Sequence, residues 1–125
     1  MIPTEPIYLY GAVVKRVYDG DTIYVDWDMG DGLWQFDEPI RLLGVKAPEV
    51  RGIEKWFGGF KSRDYLNSII GGKQIIMRTV RLPNGNFYKI HDKKGKYGRI
   101  LGTIYFDGKD INKHMIDEGY AKVYE

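Results

Sequence analysis

The sequence predicts a mainly β domain of the α+β class, a five-stranded Greek-key barrel with two helices. Two observations support this prediction. Short runs of β-branched and aromatic residues recur along the 125 residues, and turns rich in glycine and aspartate separate them. One segment with helical periodicity interrupts these runs between the third and the fourth. At this length we expect a single domain over residues 1–125, with residues 1–6 as an N-terminal tail.

The first three strands are predicted from residue type and alternation. Residues 7–17 are rich in β-branched and aromatic side chains and end at an Asp-Gly turn. Residues 22–27 alternate, which directs Ile23, Val25 and Trp27 toward the core. The third strand covers residues 40–45, and a start as early as Leu33 remains open. It breaks at Ala47-Pro48.

The rest of the chain alternates between helical and extended patterns, each bounded by glycine, proline or asparagine. A helix from residue 59 or 60 to residue 70 carries an apolar stripe and ends at Gly71-Gly72. The later elements are, in order, a strand at 74–80, a hairpin turn at 82–86 leading to 87–90, a basic loop at 93–96, a strand at 100–106, and a helix capped by Asp110 that ends at Gly119. Together these elements predict a small antiparallel Greek-key barrel of the OB-fold type.

Composition excludes several kinds of chemistry. The chain has no cysteine, so it has no disulfide, no thiolate metal ligand and no cysteine nucleophile. It shows no signal-peptide pattern and no apolar stretch of membrane-spanning length, so we expect a cytoplasmic protein that does not bind membranes, with the mature part of a secreted protein as the alternative. The two histidines, His91 and His114, are far apart in sequence and receive no functional role.

Charge is unevenly distributed although the formal net charge is only +2. Residues 17–40 contain seven acidic residues and no lysine or arginine, whereas residues 73–99 contain eight basic residues and one acid, Asp92. Such a division can produce a positive face that attracts a polyanion, and a solvated basic loop explains the same charges equally well.

Three charged motifs occur at domain-like spacing. They are Asp-Gly-Asp-Thr at 19–22, Arg-Leu-Leu-Gly-Val-Lys-Ala-Pro-Glu at 41–49, and Tyr-Gly-Arg at 97–99. In this order they resemble the staphylococcal nuclease (thermonuclease) family, over about residues 9–124. The family has an aspartate where this chain has Lys46. The resemblance implies an OB-type barrel with packed helices, here with two helices and without the family's third, C-terminal helix.

The resemblance also implies the catalytic residues. Arg41 and Arg99 match the family's two active-site arginines, whose planar guanidinium groups suit phosphate oxygens. Glu49 matches the glutamate that activates or orients the attacking water. From the residues alone, surface ion pairs would explain both arginines equally well, and Glu49 would be an exposed turn acid.

Asp21 matches a calcium-binding aspartate of the family, and Asp19 is a nearby acid that could support it. Lys46 stands at the position of a second ligand, so we expect calcium binding to be weakened or absent. Four outcomes remain open. The domain binds metal more weakly, Lys46 turns outward while Asp19 or water fills the gap, its ammonium supplies part of the positive charge, or catalysis is lost and binding is retained.

The basic loop supplies the expected nucleic-acid contacts. Lys96 and Tyr97 match residues that contact the terminal phosphate and base of the nucleotide, and Lys93 and Lys94 extend the positive charge. Trp56, Phe57 and Tyr88 could add stacking surfaces, but aromatic residues beside a barrel more often belong to its core.

These observations predict a nuclease that hydrolyses phosphodiester bonds in DNA or RNA. We expect endonucleolytic, divalent-metal-assisted cleavage by a monomer with nucleic acid as its partner, and the family resemblance implies that the phosphate stays on the 3′ side. The alternative is a catalytically silent nucleic-acid-binding module that keeps the barrel and the basic face.

Overall fold

The computed structural model describes residues 8–81, 89–91 and 98–124. The predicted tail at 1–6, the hairpin turn at 82–86 and the basic loop at 93–96 lie outside the described residues. None of the helices that the structure describes has the length and apolarity needed to cross a bilayer.

Five long strands and two helices form most of the described fold, together with four strands of two or three residues. The strands are β1 Leu9–Asp19, β2 Thr22–Gly30, β3 Leu33–Leu42, β4 Val45–Lys46, β5 Gln74–Thr79, β6 Lys89–His91, β7 Gly98–Phe106, β8 Lys109–Asp110 and β9 Lys122–Val123. The helices are α1 Gly59–Ile70 and α2 Ile111–Asp117, with a short 3₁₀ helix at Gly52–Lys55.

The long strands close into a mixed barrel, which confirms the predicted fold class. They follow the order β3-β2-β1-β5-β7, and β3 then pairs with β7. This closing pair is parallel, with Ile40 opposite Ile100 and Arg41 opposite Leu101, whereas an antiparallel barrel was expected. Because of this pairing, Arg41 and Arg99 lie on neighbouring strands although they are 58 positions apart in the sequence.

The barrel core is built from the inward residues of alternating strands. Ile23, Val25 and Trp27 of β2 are fully buried, as their alternation predicts. Helix α1 covers part of the barrel with Leu66 and Ile70, which are also fully buried. Its bounds agree with the predicted helix.

Helix α2 begins where its capping residue predicts. The side chain of Asp110 accepts a hydrogen bond from the backbone N–H of Lys113 at 2.9 Å, which satisfies one of the free donors of the first turn. Ile111 and Met115 are buried as expected.

Several strand boundaries differ from the prediction, and β2, for example, extends past residue 27 to Gly30. Strand β1 extends to Asp19, because Asp19 still pairs with Thr22 across the turn. Strand β3 ends at Leu42 rather than at residue 45, because the chain turns at Leu43-Gly44, where Gly44 has a φ of +75°. The chain then re-enters a short pairing, with Val45 opposite Val123.

Candidate active site

The acidic turn between β1 and β2 is packed tightly against the helix and the segment after β4. A Cβ on Gly20 would lie 1.8 Å from Ser62 Oγ of α1 and 2.7 Å from the Cβ of Ala47. Only glycine allows this approach. The close packing brings Asp21 next to the chain that leads to Pro48.

Both carboxylate oxygens of Asp21 have protein partners, and the residue is buried. Oδ2 accepts a hydrogen bond from the backbone N–H of Ala47 at 2.8 Å and lies 3.4 Å from Arg41 Nη1. Oδ1 accepts a hydrogen bond from the Thr22 hydroxyl at 3.0 Å. Asp21 therefore joins the first and second motifs of the sequence.

Arg41 is buried beneath the site rather than exposed on the surface. Its Nη1 donates to the carbonyl oxygens of Val45 at 2.5 Å and Leu42 at 3.3 Å, besides pairing with Asp21. In the described part of the chain, the polar contacts of Arg41 all involve Nη1. Its Nη2 and Nε are therefore left to donate to a phosphate. The pair with Asp21 is 10% and 8% exposed, so the surface ion-pair interpretation of Arg41 is wrong.

Arg99 approaches the same turn from β7. Its Nη1 donates to Thr22 Oγ1 at 3.2 Å, and its Nε is buried with no hydrogen-bond partner among the described residues. No carboxylate within those ranges forms an ion pair with Arg99. The Thr22 hydroxyl thus accepts from Arg99 and donates to Asp21, which holds Arg41. This hydrogen-bonded chain orients two guanidinium groups at one end of the barrel.

Asp19 lies at the base of the turn and is 7% exposed. Its Oδ1 accepts the backbone N–H of Asp21 at 3.1 Å. Burial, together with the neighbouring Asp21 carboxylate, raises the pKa of Asp19 from its usual 3.8 to about 7, and the nearby Arg41 opposes this shift.

Glu49 lies in the loop after the proline and is exposed. Its Oε2 lies 3.9 Å from Arg51 Nε, and its backbone N–H donates to Glu54 Oε2 at 3.1 Å. No ion pair joins Glu49 to Arg41 or Arg99. The turn thus anchors the backbone of Glu49 and leaves its carboxylate open to solvent.

Lys46 and Arg41 share an aromatic neighbour. The ring of Tyr124 lies 5.5 Å from Arg41 Cζ and 5.9 Å from Lys46 Nζ. The ring is held there because the Tyr124 backbone N–H donates to the Gly44 carbonyl at 2.9 Å. Both cations therefore approach the same ring, although Lys46 is exposed and Arg41 is buried.

The carboxylate oxygens of this site do not fit a calcium ion. Calcium takes six to eight oxygen ligands, but both oxygens of Asp21 already accept protein hydrogen bonds, and Asp19 has a raised pKa. Over residues 8–81, 89–91 and 98–124, no three His, Asp or Glu side chains converge as metal ligands. We therefore derive no step of the reaction through a metal.

The structure gathers only some of the residues predicted to act. Asp19, Asp21, Arg41 and Arg99 are linked through direct contacts, and Glu49 lies in the adjoining loop. Lys93, Lys94, Lys96 and Tyr97 lie outside the described residues.

Of the two alternatives left open for Trp56 and Phe57, the core is excluded, because they are 70% and 76% exposed. The contacts of Thr22 and Tyr124 with the active-site arginines were not predicted from the sequence. Thr22 stood inside the first motif, but its pairing with Arg99 depends on barrel closure. No feature of the sequence indicated that the Tyr124 ring would lie near Arg41.

The sequence family described as staphylococcal nuclease homologue matches residues 39–125, and the chain belongs to this family. The match includes Arg41, Glu49 and Arg99 and confirms the family resemblance found in the motifs.

Several relatives with a nuclease name share most of this chain. An uncharacterized endonuclease of Escherichia coli is 35% identical, over 94% of this chain and 62% of its own length. Endonuclease YncB of Bacillus subtilis is 26% identical, over 92% of this chain and 48% of its own. The thermonuclease of Staphylococcus intermedius is 28% identical, over 88% of this chain and 57% of its own. The chain thus spans about three fifths or less of the length of these relatives.

Proposed function

We propose that this domain is an endonuclease that hydrolyses phosphodiester bonds in DNA or RNA. The family and the nuclease names of its relatives support nuclease chemistry in general. The observation that carries the proposal for this chain is the hydrogen-bonded chain Arg99, Thr22, Asp21 and Arg41. It holds two guanidinium groups in place while N–H donors on both remain available for phosphate oxygens.

In the proposed reaction, water attacks phosphorus and transfers a proton to the Glu49 carboxylate. The bond from phosphorus to the 5′ oxygen breaks, this oxygen leaves with a proton from solvent, and the phosphate stays on the 3′ side. Negative charge collects on the phosphoryl oxygens in the transition state. Arg41 and Arg99 stabilise that charge without reorganising, because Asp21 and Thr22 already orient them. The solvent-open position of Glu49 gives it access to the attacking water.

The same proposal assigns Lys46 a share of the positive charge. In place of an aspartate, it puts an ammonium 5.9 Å from the Tyr124 ring, which Arg41 also approaches. A cluster of three cations is suited to a dianionic transition state. Divalent-metal assistance stays a prediction, which the same assay tests in the presence and absence of a chelator.

The experiment is cleavage of single-stranded and duplex DNA and RNA by the wild type, Arg99→Ala and Arg99→Lys. If Arg99 acts in the transition state, alanine should lower turnover by 10²-fold or more, about 2.7 kcal/mol, with a smaller change in affinity. Lysine keeps the charge but not the planar fork, so it should restore only part of the rate. Arg41→Lys should likewise keep only part of the wild-type rate. Equal losses of affinity and turnover would contradict a transition-state role.

One observation favours the alternative of a catalytically silent binding module. The carboxylate of Glu49 faces Arg51 and forms no ion pair with either active-site arginine. A module of this kind would bind the same nucleic acids with salt-dependent affinity and would show no cleavage with or without divalent ions. The cytoplasmic location, the monomeric state and contacts of Lys93, Lys94, Lys96 and Tyr97 with the nucleic acid stay predictions.

A further inference from the structure

Two large aromatic side chains are exposed beside Glu49. Trp56 and Phe57 follow the 3₁₀ helix at Gly52–Lys55 and are 70% and 76% exposed. Exposing so much aromatic surface to water costs free energy, so a pair of adjacent exposed rings suggests a surface that binds something.

Local contacts hold these rings outward. The Trp56 and Phe57 backbone N–H groups donate to the carbonyls of Ile53 at 3.2 Å and Glu54 at 3.1 Å. The indole of Trp56 packs edge to face on Phe60 of α1, with ring centroids 5.8 Å apart. The rings are therefore presented by a formed turn, which reduces the entropy that a ligand must overcome.

The turn is attached directly to the loop that carries Glu49. A Cβ on Gly59 would lie 1.9 Å from the Glu49 carbonyl oxygen, and a Cβ on Gly58 would lie 3.2 Å from the Pro48 ring. The Glu54 carboxylate also accepts a hydrogen bond from the Glu49 backbone N–H. Phe57, Pro48 and Lys61 also line a cleft of about 290 Å³. The aromatic surface is thus continuous with the site.

The charges around the rings match a polyanion. Arg51 and Lys61 are exposed, and Lys55 Nζ lies 5.1 Å from the Trp56 ring. Of the nearby acids, Glu54 is turned toward the backbone of Glu49, Glu49 lies 3.9 Å from Arg51, and Glu118 also lines the cleft. Aromatic rings interleaved with cations suit a single strand, whose bases stack on the rings while its phosphates face the cations.

A second exposed aromatic pair has the opposite surroundings. Trp34 and Phe36 of β3 stack with centroids 6.3 Å apart. The charged residues of β2, β3 and the turn between them include Asp28, Asp31 and Asp37, so this pair does not suit a nucleic acid. It provides a matched control of the same chemistry.

We propose that Trp56 and Phe57 form a stacking platform for unpaired bases of a single-stranded nucleic acid whose cleavable phosphate lies at Arg41 and Arg99. This platform would make the domain prefer single strands over duplexes, because paired bases do not offer their faces. The inference builds on the proposed function but concerns a binding surface separate from the residues that carry the chemistry.

The test compares Trp56→Leu/Phe57→Leu with the control Trp34→Leu/Phe36→Leu. Affinity is measured by fluorescence anisotropy of a labelled single strand of about 12 nucleotides, within the range that one OB-type barrel covers, and of its duplex. All proteins in this assay carry Glu49→Gln so that the strand is not cut. Activity is measured with Glu49 intact on the same strand and on thymidine 5′-(p-nitrophenyl phosphate), a diester too small to reach the platform.

The platform variant should bind the single strand at least about tenfold more weakly, since each lost stack is worth about that much, and duplex affinity should change less. Its rate on the small diester should equal that of the wild type, and the control variant should match the wild type throughout. Unchanged single-strand affinity in the platform variant would overturn the inference, as would an equal loss in the control variant. If no protein cleaves either substrate, the proposed enzymatic function fails, while the anisotropy comparison still decides whether the platform exists.

Discussion

The Oγ1 of Thr22 lies 3.2 Å from Nη1 of Arg99, across a barrel junction that separates them by 77 positions in sequence. The same hydroxyl donates to Asp21, so it sets the position of Arg99 relative to the buried pair of Asp21 and Arg41. The orientation of Arg99 in the proposed transition state therefore depends on this hydroxyl.

Thr22→Val should therefore lower turnover about tenfold, because it removes the hydrogen bond that orients Arg99 while keeping the side-chain shape. Thr79→Val provides the matched control. The Thr79 hydroxyl is buried and has no hydrogen-bond partner in the described part of the chain, so its removal should stabilise the fold by about 1 kcal/mol without changing turnover. Steady-state kinetics and urea unfolding measure both effects. An unchanged turnover for Thr22→Val would show that the hydroxyl does not position Arg99.

Lys46→Asp should favour calcium binding at the acidic turn by more than tenfold, because it changes the local charge by two units near Asp21. Isothermal titration calorimetry with calcium measures this change. Lys73→Asp makes the same change on the exposed segment between α1 and β5 and should have a smaller effect. If the variant gains calcium but loses cleavage, the Lys46 ammonium is part of the catalytic charge. If the wild type binds calcium as tightly as Lys46→Asp, the Lys46 side chain does not oppose calcium at this site.

The free energy of unfolding of Asp19→Asn should increase relative to that of the wild type as pH rises from about 4 to about 7. The folded protein holds the Asp19 proton with a pKa of about 7, against 3.8 for the ordinary carboxyl, so folding favours the protonated form. The stability associated with that proton is complete below about 3.8 and is lost as pH rises through about 7. Asparagine has no such proton to lose, and its side-chain oxygen can still accept the hydrogen bond from the Asp21 N–H. Urea unfolding at pH 5 and pH 8 tests this; parallel pH profiles for the two proteins would show that Asp19 is not perturbed.

Gly20→Ala should destabilise the fold by about 1 to 3 kcal/mol or more, because its Cβ would overlap Ser62 and Ala47. Gly11→Ala on β1 is the control, since a Cβ there meets no atom within 4 Å and should be tolerated. Thermal unfolding of both variants gives the comparison. Equal melting temperatures would mean that the turn and α1 are not packed this closely.

Local sequence determined much of this protein. The alternation of β2, the bounds of α1 and the Asp110 cap of α2 were predictable, because these features depend on neighbouring residues. The three charged motifs also identified the family and named Arg41, Glu49 and Arg99, since family motifs preserve residue order and type.

Only the tertiary structure decided how these residues act on one another. The parallel pairing of β3 with β7 brings Arg99 to Thr22, and no local pattern encodes a contact between distant strands. Burial of Arg41 follows from carbonyl groups that the turn at Leu43-Gly44 directs inward. Residue type left Trp56 and Phe57 open between the core and a stacking surface, and the structure shows them 70% and 76% exposed while Leu66 and Ile70 of α1 are fully buried. Hydrophobicity determines that a side chain gains free energy by burial, whereas the space left inside the closed barrel determines which side chains are buried.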